Sequence, residues 1–301
     1  MQTGDVDSLE FNYVIRKLRE YCYQQGFIEA GVQHRRSILA ACEDPETISE
    51  YNHGGQVWPL PQTGQMQLEL EMLKRSKVPG FFTLTYSYRN EPNPIPNRHD
   101  LTFPMFEFEL HGGIEDLIRF EAGLLRYLGF NIPEQLKVFD PSQSNTEHTA
   151  NRGDWDDIAA FLGVTGNDIG HSDEKRIGQI FGPVFFLTNF PNKTSPFWNM
   201  RQNPDKPGHA LKCDVIIHGM ETFGSAERAV DRDQMLSEFK TISGGGYANL
   251  LYSKFTHERV DKEMNNYLAH TFFNRCGGGI GMTRLIRGML LEGLLPENLT
   301  E

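Results

Sequence analysis

Cysteine is scarce in this chain of 301 residues. There are four, Cys22, Cys42, Cys213 and Cys276. They lie far apart with no C-x-x-C pair, which argues against a zinc site and a disulfide scaffold and predicts a reducing, cytoplasmic setting. Long apolar runs are missing too. Nothing approaches the length of a membrane span, and the start Met1-Gln-Thr-Gly-Asp is unlike a signal peptide, so no membrane partner is expected. Positive charge is in deficit, 29 Lys and Arg against 40 Asp and Glu, for a net charge of −11. The broad basic footprint that drives non-specific nucleic-acid binding is therefore absent, although a local basic patch stays open. There is no Walker A loop, G-x-S-x-G elbow, H-E-x-x-H helix or G-x-G-x-x-G turn after a strand. With no repeat, heptad, low-complexity tract or Gly/Ser linker, residues 1–301 read as a single domain.

What is present is an ordinary globular mixture, 39% hydrophobic and 23% charged, enough to bury a sizeable core. Residues 8–25 carry Leu9, Tyr13, Ile15, Leu18 and Cys22 at helical spacing, ended by Gly26. Residues 64–77 and 114–129 read as further helices and 156–162 as a short one, with loop and short helix over 36–51. Phe81 to Tyr88 and Phe103 to Leu110 are rich in aromatic and β-branched residues and read as strands. Between them, Glu91 to Asn97 holds three prolines in seven residues, which neither helix nor ladder tolerates. Val184 to Asn189 reads as a buried strand, 215–217 and 244–252 are less defined, and Gly277 to Leu291 reads as a glycine turn followed by a helix. Antiparallel-looking strands mixed with helices give the class α+β.

Two distant segments carry the chemistry. Arg89 ends a strand before the proline loop, in Tyr88-Arg89-Asn90-Glu91 with Arg98-His99 and Phe103 beyond. Arg284 follows the run 277–281, in which only Ile280 is not glycine. Two guanidinium groups beside a close-approach backbone suit a bent polyphosphate, whereas isolated arginines are mostly surface ion pairs. Asp214 and Glu221, at the two ends of a strand–turn unit, could converge on a hard cation or stand solvated at strand ends. Arg228 faces the same cavity or forms a salt bridge. Gln65, at a helix start, caps the helix or reaches a ligand. Glu107 and Glu109 alternate with Phe106 and Phe108, so they share one face; such a face is usually solvated, but here it could line the Arg89 cavity and take an ammonium. Phe103 is core or a platform for a purine.

These residues resemble the catalytic core of class II aminoacyl-tRNA synthetases, in the aspartyl/asparaginyl branch, and the related stand-alone asparagine synthetases. Arg89-Asn90-Glu91 with Arg98, His99 and Phe103 looks like the second signature of the class, and Gly277 to Arg284, including Gly281, like the third. Thr63-Gly64-Gln65-Met66-Gln67-Leu68-Glu69 is similar to the branch's S-G-Q-L-x-L-E, Pro196-Phe197-Trp198 to its K-P-F-Y, and Glu221 to Arg228 to its E-I-x-G-G-S-Q-R. The resemblance runs in family order from about residue 9 to 291. It implies a six- or seven-stranded antiparallel sheet flanked by helices, a homodimer, and ATP with Mg2+ activating an amino acid as its adenylate. Arg89 would hold the α-phosphate, with Glu91, Arg98, His99 and Gly281 also at the ATP. Phe103 and Arg284 would sandwich adenine. Asp214 and Glu221 would hold magnesium, Gln65 and Glu107 would contact the amino acid, and Arg228 would take its side-chain oxygen.

Departures qualify the match. The first-signature proline falls at Gln33, Thr102 replaces a glutamate, Thr283 and Ala229 replace acids, and Leu68 stands where aspartate-binding members place a lysine. One cation fewer favours asparagine over aspartate. The core begins near residue 1, so no anticodon-binding domain is expected; a separate domain of that kind would take about 100 residues. The expected activity is ATP-dependent, AMP-forming activation of asparagine or aspartate, with ammonia or another amine as acceptor. A reduced tRNA ligase and a non-catalytic amino-acid or nucleotide sensor are the alternatives.

Overall fold

The computed structural model describes residues 6–31, 36–38, 47–92, 94, 100–142, 149–166, 168–194 and 197–299. Arg98, His99, Gln33, Cys42 and Pro196 lie outside them.

In chain order the elements are α1 (Ser8–Gln24), β1 (Ile28–Glu29), β2 (Glu50–His53), β3 (Gln56–Pro59), α2 (Gln65–Lys74), β4 (Gly80–Tyr88), β5 (Thr102–His111), α3 (Ile114–Leu128), β6 (Arg152–Asp154), α4 (Trp155–Leu162), α5 (His171–Phe181), β7 (Val184–Pro191), β8 (His209–Ile217), β9 (Met220–Glu227), α6 (Arg232–Thr241), α7 (Gly246–Phe255), α8 (His257–Leu268), β10 (Arg275–Gly281) and α9 (Met282–Leu291). One sheet of eight strands runs β1-β4-β5-β10-β9-β8-β7-β6, and β2-β3 form a separate hairpin. The six inner strands pair antiparallel, while the short outer strands β1 and β6 pair parallel to β4 and β7. The implied six- or seven-stranded antiparallel sheet is thus an antiparallel six extended at each edge. Both edge strands are two or three residues long, short enough to limit edge-to-edge pairing.

Alternation along β5 sorts its side chains. Phe106 and Phe108 turn to one face and are buried in the main core with Val14, Leu18, Phe82, Leu124 and Ile280, beneath α1, α3 and α9. Burial of each large apolar side chain contributes about 1.5–3 kcal/mol. On α3 the buried Leu117, Phe120, Leu124 and Leu128 fall on one stripe, and Gly129 ends the helix at φ 105°, which glycine accepts without a Cβ penalty. The opposite face of the sheet has two separate covers. Trp155, Ile158, Phe181 and Phe185 pack α4 and α5 at one end. Met66, Leu70, Trp198, Phe239, Leu251 and Tyr267 pack α2 and α6–α8 at the other. The middle of that face is left for the site.

The glycine run is not a turn. Gly277 to Gly281 forms most of β10, the strand between β5 and β9, and α9 follows it directly. Intrinsic propensity speaks against glycine in a strand, but here the missing side chains make room for neighbours. A Cβ on Gly277 would collide with the Phe108 carbonyl and the Glu109 carboxylate, and one on Gly279 would come 2.5 Å from Cε of Met105. The less defined segments also resolve: 215–217 is the end of β8, and 244–252 belongs mostly to α7.

Candidate active site: a glycine-floored cleft above buried ion pairs

Arg89 leaves β4 with its N–H donating to the Leu101 carbonyl at 2.8 Å, which closes the hairpin base. Its Nε donates to Ser87 Oγ at 3.3 Å, and the guanidinium lies 5.5 Å from the Phe103 ring centroid. Arg284, in the first turn of α9, donates to the Glu221 carbonyl at 2.6 Å. Between the two lies a cleft of about 200 Å³ that Glu91, Phe103, Glu221, Gly281 and both arginines line, as predicted residues, together with Asp100, Met105, Thr222, Gly224, Gly279 and Thr283. Gly224 and Gly279 are direct partners on β9 and β10, so part of the floor is bare backbone. A roomier groove of about 620 Å³ opens between the β2–β3 hairpin and α7–α8, but none of the predicted site residues lines it.

Gln65, Glu107, Arg228 and Asp214 do not line the cleft; they are buried beside it. Glu107 and Glu109 neither form a solvated face nor line the Arg89 cleft as expected, since both are fully buried. Their face of β5 is covered by α2, which brings donors to them. Glu107 accepts from the Gly64 N–H at 2.7 Å and from the hydroxyls of Thr63 and Thr85. Burial pushes its carboxyl up while these hydrogen bonds pull it down. Glu109 accepts from Arg228 at 3.2 Å and from Gln65 Nε2, and burial pushes it up to about 7 despite Arg228. Gln65 therefore does not cap α2; its amide is committed to Glu109 and the Phe108 carbonyl.

The sequence reading missed the deeper half of this network. Glu69, fully buried, accepts from Asn199 at 2.7 Å, Tyr267 at 2.7 Å and Arg275 at 2.8 Å, with Arg228 at 3.7 Å. Arg275 also lies 3.7 Å from Glu109. Glu69 at the end of the Gln65 motif and Arg275 just before the glycines were adjacent to recognised segments; only the fold joins them. Leu68 is a correction of another kind. It sits in a small apolar cluster with Met72 and Phe81, so it says nothing about charge near Arg228.

Asp214 and Glu221 face each other electrostatically across the β8–β9 hairpin. His218 and Gly219, both at positive φ, make the tight turn such hairpins favour. Glu174 of α5 accepts the Glu221 N–H at 3.0 Å. Burial pushes the Asp214 carboxyl up to about 8; Lys212 opposes this and Glu221 adds to it. Asp168 is also raised, mainly by burial, with Glu221 and Glu174 adding. Asp214 Oδ1 is buried with no hydrogen-bond partner among the described residues. Hard oxygen donors, mutual repulsion and an orphaned carboxylate oxygen fit magnesium. No group of three or more His, Cys, Asp or Glu side chains converges among the described residues, so the fit is to a magnesium that takes the rest of its ligands from phosphate.

The family described as tRNA synthetases class II (D, K and N) matches residues 10–294. The chain belongs to this family. Its members are ATP-dependent ligases. Among solved structures, the chain is similar to asparaginyl-tRNA synthetase from Pyrococcus horikoshii complexed with asparaginyl-adenylate, with a TM-score of 0.73 and 19% identity over 94% of this chain and 64% of that one. It is similar to asparaginyl-tRNA synthetase from Entamoeba histolytica in complex with asparaginyl-adenylate (TM-score 0.69, 19% identity, 94% and 63%). It also resembles the aspartyl tRNA synthetase from Entamoeba histolytica (TM-score 0.66, 18% identity, 95% and 55%). The chain thus spans less than two thirds of these synthetases. The class II architecture expected from the signatures is the one observed. No helix among the described residues is long and apolar enough to cross a membrane.

Proposed function

We propose that this class II family member binds ATP in the glycine-floored cleft, activates an amino acid of the asparagine or aspartate type as its adenylate with release of pyrophosphate, and transfers it to ammonia or another amine rather than to tRNA. The observation that carries this reading is the meeting of Arg89, Phe103 and Arg284 around one cleft, beside a buried polar pocket built from Gln65, Glu107, Glu109 and Arg228.

In activation a carboxylate oxygen bonds to the α-phosphorus and the bond to pyrophosphate breaks. No proton need move, so the chemistry asks for alignment and charge stabilisation rather than a general base. Arg89 takes the α-phosphate oxygens, and Phe103 with Arg284 holds the adenine, with Glu91, Arg98, His99 and Gly281 completing the nucleotide site. Asp214 and Glu221 would hold magnesium, which supplies charge neutralisation between phosphate oxygens when bound. Glu107 takes the substrate ammonium, and Gln65, with its amide N–H groups held by Glu109 and the Phe108 carbonyl, contacts the amino acid through its amide oxygen. Arg228 reads the side chain.

Charge in the pocket supports asparagine over aspartate. Glu69, Glu107 and Glu109 outnumber Arg228 and Arg275, and both arginines already face carboxylates. A side-chain carboxylate would enter without a spare cation, whereas an amide can accept from Arg228 and donate to Glu109. The net charge of −11 supports a small acceptor over tRNA. We read residues 1–301 as one catalytic domain acting as a homodimer in the cytoplasm.

Exchange of labelled pyrophosphate into ATP, run with a panel of amino acids, tests the activation. Asparagine is expected to support the fastest exchange, and absence of exchange with every amino acid overturns the proposal. Product analysis with ammonia, small amines and tRNA then tests the acceptor; product with tRNA alone would refute that half.

A further inference from the structure

Lys212 has no role in the proposed activation beyond its charge beside Asp214, yet among the described residues it is one of the most enclosed cations. It stands two residues before Asp214 on β8, so both side chains leave the same face of the strand. Its Nζ lies 2.7 Å from Asp214 Oδ2, and each side chain is only 8% exposed. The ammonium also sits 4.0 Å from the centroid of the Phe190 ring, a position that favours the cation. Asp168 feels its charge as well. Lysine is rarely this buried unless its charge is paired, and here the partner is one of the two carboxylates assigned to magnesium.

Asp168 and Asp214 both feel the negative charge of Glu174 and Glu221 around this point. They need positive charge whether or not a metal is present. We propose that Lys212 is a resident monovalent cation at Asp214 that makes divalent-metal binding conditional on a polyphosphate. Without nucleotide, the ammonium satisfies Asp214 and repels an incoming divalent ion. With nucleotide, the added phosphate charge offsets that repulsion and gives the ammonium a second anion to face. Metal then enters with ATP and leaves with pyrophosphate, rather than occupying the carboxylates permanently. The inference rests on the reading of Asp214 and Glu221 as magnesium carboxylates. Lys212 acts through Asp214 and is a positioning residue.

Titration with Mn2+, following the free ion by electron paramagnetic resonance, tests this with and without ATP. Lys212→Met removes the charge and keeps much of the stem; Lys212→Arg keeps the charge. In the absence of nucleotide, Lys212→Met is expected to bind Mn2+ at least about tenfold more tightly than the wild type, the scale of losing one like charge at contact distance. Lys212→Arg should match the wild type, and ATP should narrow the gap. A proton competing for Asp214 carries half the charge of the metal, so it leaves the sign unchanged. Equal Mn2+ affinity in nucleotide-free wild type and Lys212→Met, with both folded by circular dichroism, overturns the inference. So does tight, saturable Mn2+ binding to the nucleotide-free wild type, which needs no variant at all. If Asp214→Asn binds Mn2+ with ATP as well as the wild type does, the magnesium assignment itself is wrong, and the role of Lys212 falls with it.

Discussion

Arg89 and Leu68 show how differently one residue can read before and after folding. Arg89 keeps its place: it borders the cleft, and among the described residues its side chain meets a hydroxyl and the face of Phe103. Its charge is therefore available to a ligand. Arg89→Ala is expected to lower amino-acid-dependent pyrophosphate exchange by at least about a hundredfold, the scale of losing one charge-stabilising donor, with an unchanged melting temperature. Retained exchange would remove Arg89 from the phosphate site. Leu68 was read as a missing specificity lysine, but its neighbours are Met72 and Phe81. Leu68→Lys is thus expected to destabilise the protein by roughly 3 kcal/mol or more, because it buries an unpaired ammonium among apolar groups. Urea midpoints measure this; an unchanged midpoint with a shift toward aspartate would restore the specificity reading.

At the scale of elements, β10 decides the site. Its glycines let β5 and β9 approach from either side, and they leave bare backbone under the cleft between Arg89 and Arg284. Gly277 packs against Glu109 and Gln65, so a methyl group there presses on the ion-pair network as well as on the strand. Gly277→Ala is expected to cost about 1–3 kcal/mol by overpacking and to weaken amino-acid-dependent exchange more than ATP binding. Denaturant midpoints and the Michaelis constants for the two substrates separate these effects. A variant with wild-type stability would mean that the neighbours yield more easily than the close packing suggests. The β8–β9 hairpin plays the matching role for the acids: α5 packs on the His218-Gly219 turn, with Gly219 within 2.8 Å of the Lys175 Cα for any added Cβ, and so fixes Glu174 against Glu221.

Across the whole molecule, buried carboxyls on both faces of one sheet are raised together. Glu109 reaches about 7 and Glu121 about 8. For Glu121 the main cause is burial, and Asp214 adds to it. A carboxyl whose folded value lies above its unfolded one holds its proton longer in the native state. The stability it contributes is full below about pH 4.5 and is lost as pH rises through the folded value near 8. The protein is therefore expected to lose stability between pH 5 and pH 8. Glu121→Gln, which removes one such group outside the proposed site, should flatten that decline, so that the variant gains on the wild type as pH rises. Urea unfolding at the two pH values checks this, and a parallel decline in both proteins would show that Glu121 does not contribute.

Much of the fold was legible because it rests on local pattern. The stripes of α1 and α3, the alternation of β4 and β5 and the proline loop between them are written within a few residues of chain, and the family signatures fixed the class of sheet. Arg89, Phe103, Glu221, Gly281 and Arg284 were named from sequence and share one cleft. What the chain order could not decide was burial and partnership. Glycine looks like a turn until neighbouring strands claim the space of its side chain, and Glu107 and Glu109 look solvated until α2 brings donors over them. Glu69, Arg228 and Arg275 are separated by as many as 206 positions, and Lys212 looks like any surface lysine. Their meaning comes from desolvation: a charge removed from water must find its opposite, and which one it finds is settled only when distant segments pack.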